Sequence, residues 1–373
     1  MPPFLFYFIP RPRKTSYSLI SEDNLGNMEM RYILFTAFLC HAAVSIQSAA
    51  NPRANENTKK LLAAMSNIGD RILSGAFGGY NRFQHEIGFS MNQANQIKSL
   101  TNKLPAVYGI DCSPGWAKTA EGRETDVIDC YNSLAVDYAK KGGIITVSHH
   151  IPNPVYPGNN YIGDGEINNS DYAAILQDGT PIRNRWLKTM EKIAEGLQQY
   201  KNQGITILYR PFHEMNGPWF WWSAMKDETQ NEERKRLFKM LWKELFNFMA
   251  NKGLDNILWV YSPDQSRESR TAYYPGDEYV DIVGLDWYSD DPNQLKGYDE
   301  MTSLGKPFTF AEVGPYSKDG QFDYDRFMKI VASRYPKAIY FMPWNAEWSP
   351  IYNKNPSGAY NHPKVMNLGE LKV

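Results

Sequence analysis

Eight short apolar runs recur along this chain, and they limit its fold more than any other feature. They span Arg71 to Phe77, Pro105 to Asp111, Gly143 to His149, Ile205 to Phe212, Asn256 to Tyr261, Val280 to Trp287, Pro307 to Glu312 and Ala338 to Trp344. Most are continuously apolar rather than alternating, the pattern of strands buried on both faces of a parallel sheet. Helical periodicities lie between them. Trp186, Met190, Ile193, Leu197 and Tyr200 step by four and three, as do Val127, Tyr131, Leu134 and Tyr138, while Leu237, Leu241, Leu245 and Phe248 do nearly the same. Tyr324, Phe327 and Val331 mark another helix, Leu61, Leu62 and Met65 a short amphipathic segment before the first run. After the fifth and sixth runs only Gln294 to Leu304 suggests a helix. The alternation predicts an α/β fold, a single closed (β/α)8 TIM barrel, whose reactive groups gather at the carboxyl ends of the strands. Those ends carry Asp111, His149-His150, His213-Glu214, Asp264, Asp286 with Tyr288, Glu312 and Trp344-Asn345. An open doubly wound sheet would also alternate, but it would not place polar groups at so many strand ends.

The first fifty residues read differently. Met30-Arg31 precedes an apolar segment from Tyr32 to about Val44, and Ser48-Ala49-Ala50 supplies small residues for a signal peptidase. Residues 1–50 are therefore expected to be leader and signal peptide, with a start at Met28 or Met30 left open, and 51–373 the single barrel domain of a secreted, extracellular protein. The apolar segment is shorter than the ~20 residues of a membrane-spanning helix, so no membrane association is expected of the mature form. A net charge of −1 with interspersed signs lacks the basic footprint of a nucleic-acid binder. A neutral partner fits better, and a monomer is expected. Aromatic residues at 14% exceed what packing usually requires, and sugar faces are among the ligands that stack on them. With Cys40 in the presumed signal, Cys112 and Cys130 remain; pairing in an oxidising compartment and free buried thiols are both open. Asn168-Asn169-Ser170 is a glycosylation sequon or a plain polar loop.

The stretch Tyr209 to Trp222, YRPFHEMNGPWFWW, follows a buried run and delivers Arg210, His213 and Glu214 before Trp219, Phe220, Trp221 and Trp222. Packing alone seldom asks for Arg, His, Glu and four aromatics in one loop. Glu312 ends the seventh run, three strands on from Glu214, so both carboxyls can face one cleft. Glycosidic hydrolysis needs such a pair: one protonates the leaving oxygen, the other attacks the anomeric carbon or activates water. Arg210 beside Glu312 would keep it ionised, whereas Glu214 must stay protonated. The competing reading makes Glu312 a buried structural acid paired with Arg210. Other chemistries fit worse. His213-Glu214 opens like a zinc-protease motif, but Gly217 stands where the second histidine would be. There is no GxSxG elbow, no phosphate loop with GK[ST] and no CxxC pair, and Gly75, Gly78 and Gly79 suit a turn. For His149-His150, hydrogen bonding to substrate is expected ahead of a metal or a structural role. No metal and no cofactor are expected.

RPFHEMNGPWFWW resembles the acid/base segment of glycoside hydrolase family 26, and further similar motifs run along the chain: VYGID (Val107 to Asp111), SHHIPNP (Ser148 to Pro154), WVYSPD (Trp259 to Asp264), VDIVGLDWY (Val280 to Tyr288), FAEVG (Phe310 to Gly314) and MPWN (Met342 to Asn345). The resemblance implies a (β/α)8 barrel and a secreted endo-β-1,4-mannanase acting on mannan, glucomannan or galactomannan with retention. By position it makes Glu214 the acid/base and Glu312 the nucleophile. Arg210, His213 and Tyr288 would orient the nucleophile and the adjoining sugar, and His150, Trp219, Asp286 and Trp344 would line the nearest subsites. His149 stands where the family often has Trp, and the loop between His150 and Trp186 is long. A β-glucanase or β-1,3-xylanase would share the same pair of acids, and a non-catalytic carbohydrate-binding barrel is the alternative from another class.

Overall fold

The computed structural model describes residues 47–79, 89–112, 130–156 and 166–373. The signal segment up to residue 46, with Cys40, and Val127 of the third expected helix lie outside the described residues. Eight parallel strands close on themselves: β1 (Ile72–Phe77), β2 (Val107–Asp111), β3 (Ile144–His149), β4 (Ile207–Pro211), β5 (Ile257–Tyr261), β6 (Ile282–Tyr288), β7 (Phe308–Gly314) and β8 (Ala338–Pro343). Each pairs with the next, and β1 pairs with both β8 and β2, which makes the sheet a barrel. A short ninth strand, β9 (Val365–Met366), adds in parallel to β1. The eight expected runs fall on the eight barrel strands with ends displaced by at most two residues.

The helices are α1 (Glu56–Ser66), α2 (Asn92–Thr101), α3 (Ser133–Lys140), α4 (Asn169–Ile175), α5 (Pro181–Asn202), α6 (Asn231–Asn251), α7 (Tyr298–Thr302), α8 (Tyr324–Arg334) and α9 (Pro356–Tyr360). Local chemistry starts them. In α5, the Thr180 hydroxyl caps the Arg183 N–H at 3.0 Å and Pro181 takes the first turn, where a missing N–H goes unnoticed. Trp186, Met190, Ile193, Leu197 and Tyr200 all face inward, as the periodicity predicts. In α3 it is Ala135, Val136 and Tyr138 that are buried, while Leu134 is exposed. The helix begins only after the Asn132 cap, so Leu134 falls on its solvent face. Phe248 of α6 is likewise only partly buried, the inward face passing through Phe246 and Met249. Between β5 and β6 there is only one 3-10 turn, Asp277–Tyr279, where the periodicity is also weak.

Two apolar layers result. Leu73, Phe77, Val107, Leu208, Leu258, Val260, Ile282, Tyr340 and Met342 fill the barrel, and Leu61, Leu62 and Met65 of α1 close it from below. That end is identified by the bonds of α1 and its cap to residues just ahead of strands: Asn55 to Asp255 and Thr58 to Thr206. The second layer joins the outer strand faces to the helices. At the opposite rim, Cys112 after β2 is disulfide-bonded to Cys130. Asn168 of the sequon is the N-cap of α4, its side chain accepting the Asp171 N–H at 2.7 Å. No described helix is long and apolar enough to cross a membrane.

Candidate active site

The carboxyl ends of the strands open into a cleft of about 950 Å³ lined by His150, His213, Glu214, Phe220, Tyr288, Glu312, Trp344 and Asn345, continuing past Pro315, Tyr316, Lys318, Ala346 and Trp348. It lies at the end where barrel chemistry is found.

Glu312 reaches this cleft because β7 is irregular. Phe308 and Phe310 face the outer layer, and strict alternation would send Glu312 after them into the helices. The register between β6 and β7 shifts between Leu285 and Asp286, so that Asp286 and Glu312 become partners, and the next outward residue is Val313. The extra residue turns Glu312 inward. There its two oxygens are both acceptors, Oε1 from Arg210 Nη2 and Oε2 from Tyr288 Oη at 2.5 Å. That is the bonding of a carboxylate, not of a carboxylic acid.

Arg210, on β4, is itself fully buried and spans two acids, giving Nη1 to Asp286 Oδ2 at 2.9 Å as well as Nη2 to Glu312. Burial opposes its charge, but the two carboxylates outweigh that and hold it as a cation. Asp286, expected to line a subsite, is fully buried, accepts from Arg210 Nη1 and is not among the residues that line the cleft. Glu214 has φ 53°, and Phe212 two residues earlier also has φ 53°, a left-handed conformation unusual for side chains of this size. The Glu214 N–H is held by Ser262 O at 2.9 Å, and its Oε2 accepts the indole N–H of Trp219 at 2.7 Å. Burial, then the negative charges of Asp264, Asp286 and Glu312, push the Glu214 carboxyl well above the usual carboxylate range, while the Trp219 bond pulls the other way. Glu214 keeps some surface open to the cleft.

His213 Nε2 sits 3.1 Å from His150 Nε2 and 3.9 Å from Glu312 Oε1. Burial and the neighbouring Arg210 drive its pKa well down, so it is neutral. His149, grouped with His150 as a candidate for substrate hydrogen bonding, is instead buried in the core against Tyr209 Oη at 3.1 Å, and burial lowers it to about 3. Strand alternation separates the two: His149 is the last residue of β3, and His150 turns into the cleft. Asp264 caps a turn, accepting Ser266 N at 2.8 Å and Arg267 N at 3.2 Å. Trp344 stacks on Phe77 with centroids 3.7 Å apart.

The profile of glycosyl hydrolase family 26 matches residues 50–370. The chain belongs to glycosyl hydrolase family 26. It is therefore a glycoside hydrolase. A mannan endo-1,4-beta-mannosidase of Bacillus subtilis is 44% identical over 327 residues, covering 86% of this chain and 89% of that one. Another, from Bacillus subtilis strain 168, is 42% identical over 329 residues, covering 87% and 89%. The structure of Bacillus subtilis mannanase BCman superposes with a TM-score of 0.81 at 41% identity, over 88% of this chain and 97% of that one.

In this family 26 chain one oxygen each of Glu214, Asp286 and Glu312 lies within 4.8 Å of the other two, a spacing a cation could bridge. Arg210 already holds two of the three acids, and its fixed charge opposes a second cation there. Tyr316, Lys318 and Trp348 were not singled out from the sequence, because they follow the strand ends at loop positions without periodicity. The aromatics in GPYS after Glu312 and in NAEW after Trp344 are the signal that could have found them.

Proposed function

We propose that this glycoside hydrolase is a secreted endo-β-1,4-mannanase that cleaves internal bonds of mannans with retention of configuration. The observation that carries retention is the closeness of the two acids: one oxygen of Glu214 and one of Glu312 lie within 4.8 Å of each other. Double displacement works with carboxyls ~5–5.5 Å apart, whereas a water between them would require ~6.5–9.5 Å. Glu312, held as an anion by Arg210 and Tyr288, attacks the anomeric carbon while Glu214 gives its proton to the leaving oxygen. Once the glycosyl ester forms, the charge on Glu312 is gone, and Glu214 loses a repulsive neighbour. Its pKa falls, and it takes a proton from the water that frees the product.

Polarity along the cleft follows from the same roles. The leaving sugar lies on the Glu214 side, near Trp219, and the attacked sugar lies towards Tyr316, Lys318 and Trp348 beyond Glu312. A cleft of about 950 Å³ is near the top of the roughly 300–1,000 Å³ of small-molecule sites, which suits several rings of a polymer. Mannan as substrate rests on the mannan-cleaving relatives. Secretion rests on the first fifty residues and on the Cys112–Cys130 bond, which an oxidising compartment favours.

The deciding experiment compares reducing-sugar release on mannan, lichenan and β-1,3-xylan, with the anomer first formed followed by proton NMR. Mannan should be cleaved fastest and give β product first; an initial α anomer would refute retention, and faster lichenan or xylan cleavage would refute the substrate. Glu312→Ala should lose roughly a thousandfold or more in kcat while still binding oligosaccharide. Azide should rescue it to an α-glycosyl azide, and a β-glycosyl azide would show that Glu312 is not the nucleophile. Recovery of activity from the culture medium with the first fifty residues removed tests secretion.

A further inference from the structure

Asp111 ends β2 with its side chain wholly buried, and it has no part in the reaction as derived above. Its Oδ2 lies 2.5 Å from His150 Nδ1 and accepts the Ser148 hydroxyl at 3.0 Å, and its Oδ1 accepts the His150 backbone N–H at 3.2 Å. A carboxylate has no proton to give, so the short contact to His150 is an Nδ1–H donated to Asp111. His213 is neutral and its Nδ1 is buried without a partner among the described residues, so its one proton sits on Nε2, and His150 Nε2 accepts it with a bare lone pair. The two Nε2 atoms are 3.1 Å apart. An N–H at His213 Nδ1 would be a buried donor unmet, the more costly of the two arrangements.

We propose that Asp111 is a positioning residue of the glycosidase site: it locks the tautomer of His150, and through it that of His213, so that the His213 N–H points to His150 and not to Glu312. The proposal rests on the reading of Glu312 as nucleophile. His213 Nε2 is 3.9 Å from Glu312 Oε1, close enough that a small turn of the ring would let the N–H bond to that oxygen. A third donor would quiet the lone pair that must attack. With Asp111 in place, Glu312 is bonded by Arg210 and Tyr288, which orient it, and is spared His213. His150 is also held edge-on to Phe220 and Trp344, with centroids 5.5 and 6.1 Å away, so its ring forms a set wall of the cleft.

Nitrogen-15 NMR of the histidine-labelled, ligand-free enzyme tests this without any substrate. His150 should be protonated at Nδ1 only and His213 at Nε2 only; any other tautomer of either ring overturns the proposal. In Asp111→Asn the amide can turn its NH2 to His150; the His150 proton should move to Nε2 and that of His213 to Nδ1, a donor buried without a partner among the described residues, so that the His213 ring must shift beside Glu312. kcat should then fall about ten- to a hundredfold, on the scale found when a metal-binding histidine loses its outer hydrogen-bond partner, with KM changing much less. Because Asp111 acts through His150, adding Asp111→Asn to His150→Ala should have almost no further effect on kcat. Additive losses in that cycle, or an unchanged kcat in folded Asp111→Asn, would refute it. Should Asp111→Asn not fold, the wild-type tautomers still decide. Full turnover by Glu312→Ala would instead sink the catalytic reading and leave the NMR result standing.

Discussion

The indole of Trp219 turns back over five residues to donate its N–H to Glu214 Oε2 at 2.7 Å. It can do so because Gly217 has no side chain: a Cβ there would sit 2.0 Å from the Trp219 ring. One loop thus holds both the acid and the donor that tunes it.

Trp219→Phe keeps an aromatic ring and removes that donor. Since the bond lowers the Glu214 pKa, its loss should raise it, and the alkaline limb of kcat/KM should move to higher pH. In Glu214→Gln the limb should disappear, while an activated aryl glycoside is still cleaved in a burst followed by slow turnover. pH profiles of the two variants check this, and an unmoved limb in both would assign the acid elsewhere.

Arg210→Met would leave Asp286 and Glu312 buried together without a counter-charge. Breaking a buried pair in this way destabilises by about 3–5 kcal/mol. The deficit should shrink at acid pH, where the two acids take up protons. Urea unfolding at neutral and acid pH measures both effects.

Asp281, at the lower end of β6, is fully buried and accepts the N–H groups of Ala50 at 2.6 Å and Trp259 at 2.7 Å. Burial raises it from 3.8 to about 6 despite those bonds. Between these values the folded protein holds a proton that the unfolded chain has lost, so this group's contribution is full below the unfolded pKa and declines as pH rises through the folded one. The decline amounts to roughly 3 kcal/mol, two pKa units at about 1.4 each. Asp281→Asn does not titrate, and its unfolding free energy should be flatter across that window than the wild type's.

The Cys112–Cys130 bond spans a sequence separation of 18. Replacing both by Ser should lower stability by about 3 kcal/mol, the loop-closure entropy of a ring of that size. Chemical denaturation with and without reductant checks it: reductant should weaken the wild type and leave the double variant unchanged.

The barrel was legible in the chain because each of its strands is a continuous apolar run, and burial on both faces writes that pattern directly into composition. The strand-end rule likewise brought His150, His213, Glu214, Tyr288, Glu312 and Trp344 to one cleft. What the pattern could not carry was which way a residue at a strand end faces. His149 and His150 are adjacent and look alike in sequence, yet one is core and the other lines the cleft.

Glu312 makes the same point more sharply. Runs of apolar residues determined by themselves that there would be eight buried strands and that acids would stand at their ends. Whether Glu312 entered the cleft or the helix layer was decided by one register shift against β6, which also set Asp286 beside it and out of the solvent. Side-chain direction in a strand has a period of two, so one extra residue reverses it. Nothing local in FTFAEVG marks that residue; the packing of β7 between its two neighbours selects it.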